Sequence, residues 1–229
     1  MGKPSNPRTL EPSDPRVLIQ FSRLDIWLPG LLAELAALIL CLSFHEAAHA
    51  WTATRLGDPT ARLLGRLTLN PIAHIDVIGT VAFPLIAMVT GAPLIGWARP
   101  VPVNTMNLAH PRRDFAVVAA AGPASNMLLA ILTVVPLALL STGEATGSLL
   151  LAFLRRLVEL NVLLAVFNLI PVPPLDGGNV LAGLVPESVA RVLDRLRPYG
   201  ILVLYALLLS GALFYIYRPI NSFLVRWLP

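Results

Sequence analysis

The residues best suited to chemistry in this chain are two histidines and a glutamate within five positions. His45 and His49 are four residues apart, so on a helix their rings project from one face and can bind one metal ion. Glu46 follows the first histidine, which places its carboxylate beside the metal without making it a ligand. This position suits a general base that takes a proton from the attacking water. The pattern predicts a hydrolytic zinc site, because zinc accepts imidazole nitrogen and keeps one position open in catalytic sites.

A third protein ligand must come from elsewhere in the chain, because a catalytic zinc site has three protein ligands. Asp176 follows a proline-rich break after an apolar stretch, where irregular backbone is tolerated only against protein or a polar cavity. Its carboxylate could equally cap the next short helix, with Gly177 and Gly178 as turn residues. The ionisable side chains near membrane depth that remain candidates are Asp176, His74, Asp76, Glu159 and Glu34.

The composition indicates a membrane protein. Of 229 residues, 56% are hydrophobic and only 13% are charged, and the mean hydropathy is +0.73, so a soluble globule of this length would lack polar surface. A fifth apolar stretch, 77–91, is shorter and contains Gly79 and Pro84, so it is either a short span or a re-entrant loop. The four stretches long enough for a bilayer-spanning helix are about 28–50, 114–141, 149–170 and 198–217.

The positions of the basic residues indicate that they orient the chain in the membrane and do not bind nucleic acid. The 17 lysines and arginines are scattered beside apolar segments, and the formal net charge is only +4, so no nucleic acid partner is expected. If 77–91 is re-entrant, the segments 55–113 and 177–197 share one face and carry nine arginines, whereas 142–148 carries none. This distribution predicts an active site toward the cytoplasmic side of a bacterial inner membrane.

The remaining pattern predicts the elements that position the site. The first helix is expected to begin after Pro29 and to continue to about Leu56. Residues 60–69 alternate arginine with leucine and threonine as an exposed strand would, and 97–103 is a possible partner. The small residues 119–122 let their helix approach its neighbours closely. The fold class expected is an all-α integral membrane bundle of about four to six transmembrane helices, with a small β element after the first helix.

Three separated motifs resemble those of the site-2 protease family of intramembrane zinc metalloproteases. The motifs are 44–49 (FHEAAH), 122–126 (GPASN) and 168–178 (NLIPVPPLDGG), and the resemblance extends over roughly 30–215. Their order along the chain and their placement on membrane spans are similar to those of the family. No stretch is long enough for a PDZ or other regulatory domain of about 80–100 residues, so a compact family form is expected.

The resemblance implies a role for each residue of the site. It implies that His45, His49 and Asp176 hold zinc and that Glu46 is the catalytic carboxylate. It also implies that Asn126 faces the active site and contacts the substrate backbone or the developing oxyanion, although asparagine commonly makes interhelical hydrogen bonds in bundles.

The activity implied is hydrolysis of peptide bonds in or near transmembrane segments of membrane proteins. Regulated release of a cytoplasmic factor and clearance of signal-peptide remnants both fit, and the partners are a transmembrane substrate and the lipid bilayer. The alternative is a membrane metal carrier that uses the same ligands. A carrier needs polar residues along a path through the bilayer, and the spans 114–141 and 198–217 offer almost none.

The expected domain organisation is a flexible tail over 1–26, a membrane-embedded metalloprotease domain over 27–218 and a short C-terminal tail over 219–229. His74 lies in a polar stretch after the first helix and is a second candidate to approach the metal or to gate access to it. Cys41 is the single cysteine, which excludes an internal disulfide and favours a small core residue.

Overall fold

A computed structural model describes residues 15–90, 97–141 and 148–227, which are mostly helical and contain no β-strand. Short 3₁₀ or π turns in these ranges lie at Pro71–Ala73, Val77–Ala82, Thr105–Asn107 and Arg197–Tyr199. The α-helices are α1 (Pro15–Arg55), α2 (Thr60–Leu63), α3 (Phe83–Thr90), α4 (Pro111–Ser141), α5 (Leu149–Asn168), α6 (Asp176–Leu184), α7 (Glu187–Leu196), α8 (Gly200–Leu209) and α9 (Ala212–Trp227).

Helix α1 begins earlier than its proline suggests. The expected start after Pro29 is wrong, because the helix begins at Pro15 and continues through Pro29. A proline in a helix removes one backbone hydrogen bond, and membrane helices tolerate that loss when neighbouring groups replace it. The end near Arg55 agrees with the prediction, and Gly57 follows with a φ of 107°, a left-handed conformation that suits glycine. Of the expected flexible tail, 1–14 lies outside the described residues and 15–26 is helical.

The expected strand over 60–69 is wrong, because this segment begins with the short helix α2 and continues as turns and bends. Asp58 explains the difference. Its Oδ1 accepts hydrogen bonds from the Thr60 amide at 3.1 Å and the Thr60 hydroxyl at 2.5 Å, which starts a helical turn. The other carboxylate oxygen accepts from the Asn104 amide at 2.7 Å. Asp58 therefore ties the end of α1 to the loop before α4.

The expected partner strand, 97–103, is extended but forms no ladder. The Trp97 amide donates to the Gly79 carbonyl at 3.1 Å, and the Arg99 amide donates to the His74 carbonyl at 2.8 Å. These acceptors belong to helical turns, and two prolines in the segment cannot donate, so a regular strand pair does not form. The predicted β element is thus not confirmed in the described residues. We call 97–104 the strap.

Helix α4 is the centre of the bundle, as its small residues predicted. It packs against α1, α5 and α6. Cys41 is fully buried between α1 and α5 as a free thiol, in agreement with the expected core role. The core between α1 and α5 contains Ala37, Leu38, Cys41, Leu42, Leu157 and Leu160, and the core between α4 and α5 contains Ala130, Leu137, Leu151 and Val158.

Two helical segments among the described residues are long and apolar enough to cross a membrane: Leu32–Arg55 and Pro111–Ser141. The expected single span over 198–217 is instead divided between α8 and α9. Gly211 lies at the break with a φ of 73°, which a helix cannot include. Residues 219–227, expected in a tail, belong to α9. The expected count of four to six spans is not confirmed by helix length and hydropathy.

Candidate metal centre

Two helices bring three potential metal ligands together at one point. His45 and His49 lie one turn apart on α1, and Asp176 is the first residue of α6. The two Nε2 atoms are 3.0 Å apart. The Oδ2 atom of Asp176 lies 3.1 Å from Nε2 of His45 and 3.3 Å from Nε2 of His49. The structure therefore brings His45 and His49 together with Asp176, the third ligand that the family resemblance implied, and all three are largely shielded from solvent.

The hydrogen bonds of the two imidazole rings determine which nitrogen faces this point. Nδ1 of His45 lies 2.6 Å from Oδ1 of Asn126, and Nδ1 of His49 lies 2.7 Å from the Val118 carbonyl. Since both partners are oxygen acceptors, each Nδ1 must carry the proton. Each Nε2 then presents a lone pair toward Asp176. This arrangement, with an outer acceptor that orients each ring, is typical of metal-binding histidines.

The three converging atoms fit a tetrahedral zinc ion. With bonds of about 2.0–2.1 Å, the ligand atoms of tetrahedral zinc are separated by about 3.3 Å. The separations here are 3.0 to 3.3 Å. Oδ2 of Asp176 is buried without a hydrogen-bond partner, because the facing nitrogens of His45 and His49 have no proton to donate. Three lone pairs at such short range repel one another unless a cation lies between them.

Asn126 contacts His45, and both ends of its amide are engaged within the protein. The side chain is fully buried, and its Nδ2 donates to the Cys41 carbonyl at 3.1 Å and to Oδ1 of Asn161 at 2.7 Å. Asn161 is oriented in turn by donating to the Leu157 carbonyl at 2.8 Å. Asn126 therefore presents its Oδ1 to His45. The sequence analysis missed Asn161, although an asparagine inside an apolar stretch is itself a signal.

Glu46 is oriented by the strap. Its side chain is 9% exposed, and Oε2 accepts a hydrogen bond from the Val101 amide at 2.9 Å. Oε1 makes no hydrogen bond to the described residues. Pro100 and Pro102 have no N–H, so Val101 supplies the donor in this part of the strap. The sequence analysis missed this contact, and the alternation of proline with valine was the available signal.

His74 lies apart from the cluster of potential ligands. Its side chain is 2% exposed, and Nε2 lies 2.8 Å from the Thr68 carbonyl, which is a structural contact within the loop after α1. The group of residues able to share a metal in the described ranges contains Asp176 and not His74. The predicted approach of His74 to the metal has no geometric support.

The other candidate third ligands are engaged elsewhere. Asp76 accepts backbone hydrogen bonds that cap the turn Val77–Ala82. Glu34 and Glu159 lie 3.6 and 3.1 Å from the guanidinium of Arg156. Glu34 lies 11 residues, or about three helical turns, before His45 on α1, and Glu159 lies on α5, which carries none of the three potential ligands. Asp176 is thus the carboxylate that the fold brings to the histidines.

Gly122 allows α4 to approach the ligands. A Cβ atom at this position would lie 2.4 Å from Nε2 of His49 and 2.6 Å from Cε1 of His45. Real Cβ atoms do not come this close to other heavy atoms, so any other residue would displace the rings. The glycine of the 122–126 motif is explained by this contact.

Comparisons with known proteins found one family model and several relatives that match this chain. The model of peptidase family M50 matches residues 134–211, a range that contains Asp176. The protein named "Putative zinc metalloprotease YwhC" of Bacillus subtilis is 38% identical over 190 residues, which cover 80% of this chain and 82% of that protein. The protein named "Putative zinc metalloprotease Rip2" of Mycolicibacterium smegmatis is 30% identical over 203 residues, covering 83% and 76%. No solved structure matches the chain.

The chain belongs to peptidase family M50, the site-2 protease family. It is a zinc metalloprotease and a membrane protein, as the sequence predicted.

Proposed function

We propose that this enzyme is an intramembrane endopeptidase that hydrolyses peptide bonds in or near transmembrane segments of other membrane proteins. The observation that carries the proposal is the convergence of His45, His49 and Asp176 beside Glu46 at the end of an apolar helix. A substrate segment in the same bilayer would reach this point by lateral movement.

We assign the metal to His45, His49 and Asp176, and the general base to Glu46. Zinc, when bound, polarises the scissile carbonyl and makes water a stronger nucleophile. Oε1 of Glu46 accepts the proton from the attacking water and later delivers it to the leaving amine. The Val101 amide holds Oε2 during this transfer, because the strap fixes that side of the carboxylate.

The geometry favours a positioning role for Asn126. Its Oδ1 holds Nδ1 of His45 at 2.6 Å, and its Nδ2 already has two partners. The contact with the substrate or the oxyanion that the family resemblance implies stays a prediction, since it would require Nδ2 to leave one of those partners.

The substrate must be unwound before cleavage. A helical backbone shields the scissile carbonyl with its own hydrogen bonds, and each group freed in hydrocarbon costs several kcal/mol unless another group satisfies it. We expect cleavage near glycine, proline or asparagine, where unwinding costs less. Residues 60–69 form no strand, so this segment offers no strand edge to which an extended substrate could pair.

The membrane arrangement proposed is a domain over 27–218 with four to six crossings. The nine arginines of 55–113 and 177–197 lie on the segments that flank the metal ligands, and 142–148 has none. This distribution supports a metal centre toward the cytoplasm of a bacterial cell membrane.

A metal carrier with the same ligands has less support. Away from the metal centre, the buried hydroxyl of Thr133 on α4 donates to the Leu129 carbonyl of its own helix at 2.7 Å. It therefore does not continue a polar path from Asn126 through the bilayer.

The test uses purified protein in detergent with one model transmembrane substrate that contains glycine and proline near its centre. We expect wild-type protein to bind about one zinc and to cleave this substrate, and to cleave a version with leucine at those positions far more slowly. Glu46→Gln should retain zinc and lose activity by at least about a hundredfold. Zinc without cleavage of any membrane substrate would refute the proposal, and wild-type activity in Glu46→Gln would refute the general base.

A further inference from the structure

A cavity of about 390 Å³ opens between the strap, the start of α4, helix α6 and the turn before α8. Cavities of this size are in the range that binds ligands. Its lining includes Val103, Arg112, Phe115, Asn179, Asp194 and Arg197.

Two residues that line the cavity lie on the same helices as residues of the metal centre, one turn away. Asn179 lies three residues after Asp176 on α6, and Phe115 lies three residues before Val118 on α4. Val118 accepts the hydrogen bond that orients His49. One helical turn advances about 5.4 Å, so both residues lie within one turn of groups that build the site.

The strap lines the third side of the cavity and also contacts Glu46, the proposed general base. Val103 lies two residues after Val101, whose amide contacts Glu46. The amide of Val103 makes no hydrogen bond among the described residues, and its side chain is half-buried. A peptide whose scissile bond lies at Glu46 therefore finds the cavity immediately beside it.

Two arginines give the cavity its charge. Arg197 donates from Nη2 to Oδ1 of Asn179 at 3.0 Å and lies 3.3 Å from Oδ1 of Asp194. Arg112 donates from Nη2 to the Ala182 carbonyl, and its Nη1 lies 3.8 Å from Oε2 of Glu187, an exposed residue outside the lining. A guanidinium has five N–H donors, so both arginines keep donors for a further partner. With two arginines and one aspartate, the charged groups of the lining sum to +1.

We infer that this cavity receives the substrate residues adjacent to the scissile bond at the point where the segment leaves the apolar region, and that it favours an acidic side chain there. The inference rests on the proposed function. A carboxylate would bind the free donors of Arg112 and Arg197, and a lysine or arginine would be repelled. Cytoplasmic flanks of membrane helices are commonly basic, so this cavity would exclude many helices and select the minority with an acidic flank.

The experiment compares three model transmembrane peptides that differ only in the three residues after the apolar segment: glutamate, alanine or lysine. We expect wild-type kcat/KM to be about fivefold higher for the glutamate peptide than for the lysine peptide, the size of effect of a partly exposed ion pair. Arg112→Gln and Arg197→Gln should bring this ratio close to one. The matched control is Arg191→Gln, because Arg191 is exposed on α7 and does not line the cavity.

Zinc content establishes that each variant retains the metal centre. A ratio near one in wild-type protein would overturn the inference. An equal loss of preference in Arg191→Gln would also overturn it, because the preference would then come from the overall charge of the face.

A second measurement separates this inference from the proposed function. Binding of the three peptides to Glu46→Gln is compared with binding to Glu46→Gln combined with Arg197→Gln. If zinc-loaded wild-type protein cleaves no peptide, the proposed function fails. Even then, tighter binding of the glutamate peptide to Glu46→Gln that disappears when Arg197→Gln is added would support the proposed role of the cavity. Equal binding of the three peptides to Glu46→Gln would refute that role.

Discussion

The backbone N–H of Val101 donates to Oε2 of Glu46 at 2.9 Å, across 55 positions of sequence. Val101→Pro removes this donor and should lower kcat about tenfold, since hydrogen bonds to charged groups contribute roughly 1.5 kcal/mol or more. Zinc content should not change. Val101→Ala keeps the amide and serves as the control, and equal activity in the two variants would show that the contact does not position the base.

Asp176→Ala should weaken zinc binding by at least about a hundredfold and remove activity, because a direct ligand contributes more than an outer partner. His74→Ala should keep its zinc, since Nε2 of His74 is engaged with the Thr68 carbonyl. Metal analysis after dialysis against a weak chelator decides between them. The opposite pattern, with zinc lost from His74→Ala and kept in Asp176→Ala, would show that His74 and not Asp176 is the third ligand.

Asn126→Ala should weaken zinc binding about 10- to 100-fold together with activity, because His45 loses the acceptor that orients its ring. Asn168→Ala is a matched control, since among the described residues the Asn168 amide donates to the Leu164 carbonyl of its own helix and to no metal ligand. A variant of Asn126 with normal zinc affinity and reduced kcat would instead support contact with the substrate or the oxyanion.

Gly122→Ala should release zinc and lower the melting temperature, because its Cβ would lie 2.4 Å from Nε2 of His49. Overpacking of this kind costs about 1–3 kcal/mol. Gly30→Ala is the control, since a Cβ there has no neighbour within 4 Å. The measurement is thermal unfolding and zinc content in detergent, and a fully loaded Gly122→Ala protein would show that α4 can move away from the rings.

Asp58→Asn should reduce stability in a way that depends on pH. Burial raises the pKa of Asp58, but hydrogen bonds from Thr60, Asn107 and Asn104 together lower it by more than burial raises it. The pKa of Asp58 therefore lies below its usual value. A lowered pKa in the folded state stabilises the protein above the usual aspartate value of about 3.9, and this contribution is lost as the pH falls through the lowered pKa. The difference in melting temperature between wild type and Asp58→Asn should therefore be full at pH 6–7 and shrink below about pH 4. A constant difference would mean that the charge of Asp58 is not involved.

The sequence alone determined the parts of the site that depend on local periodicity. His45 and His49 share a face because any helix places residues four apart together, and the apolar composition required a helix there. Asp176 was one of several open candidates on residue type and was selected by the resemblance of its motif. The end of α1 was predictable because Gly57, Asp58 and Pro59 together form a local signal that ends a helix.

Only the tertiary structure determined the contacts between residues that are far apart in the sequence. The contacts of His45 with Asn126 and of Glu46 with Val101 link residues 81 and 55 positions apart, and no local pattern specifies which chain segments meet. The expected strand at 60–69 failed for the same reason: its alternation favoured a strand, but a strand needs a partner, and Asp58 started a helical turn instead. Hydropathy likewise predicted one span over 198–217, whereas the backbone conformation at Gly211 divides it, because hydropathy averages over a window and a single left-handed residue ends a helix.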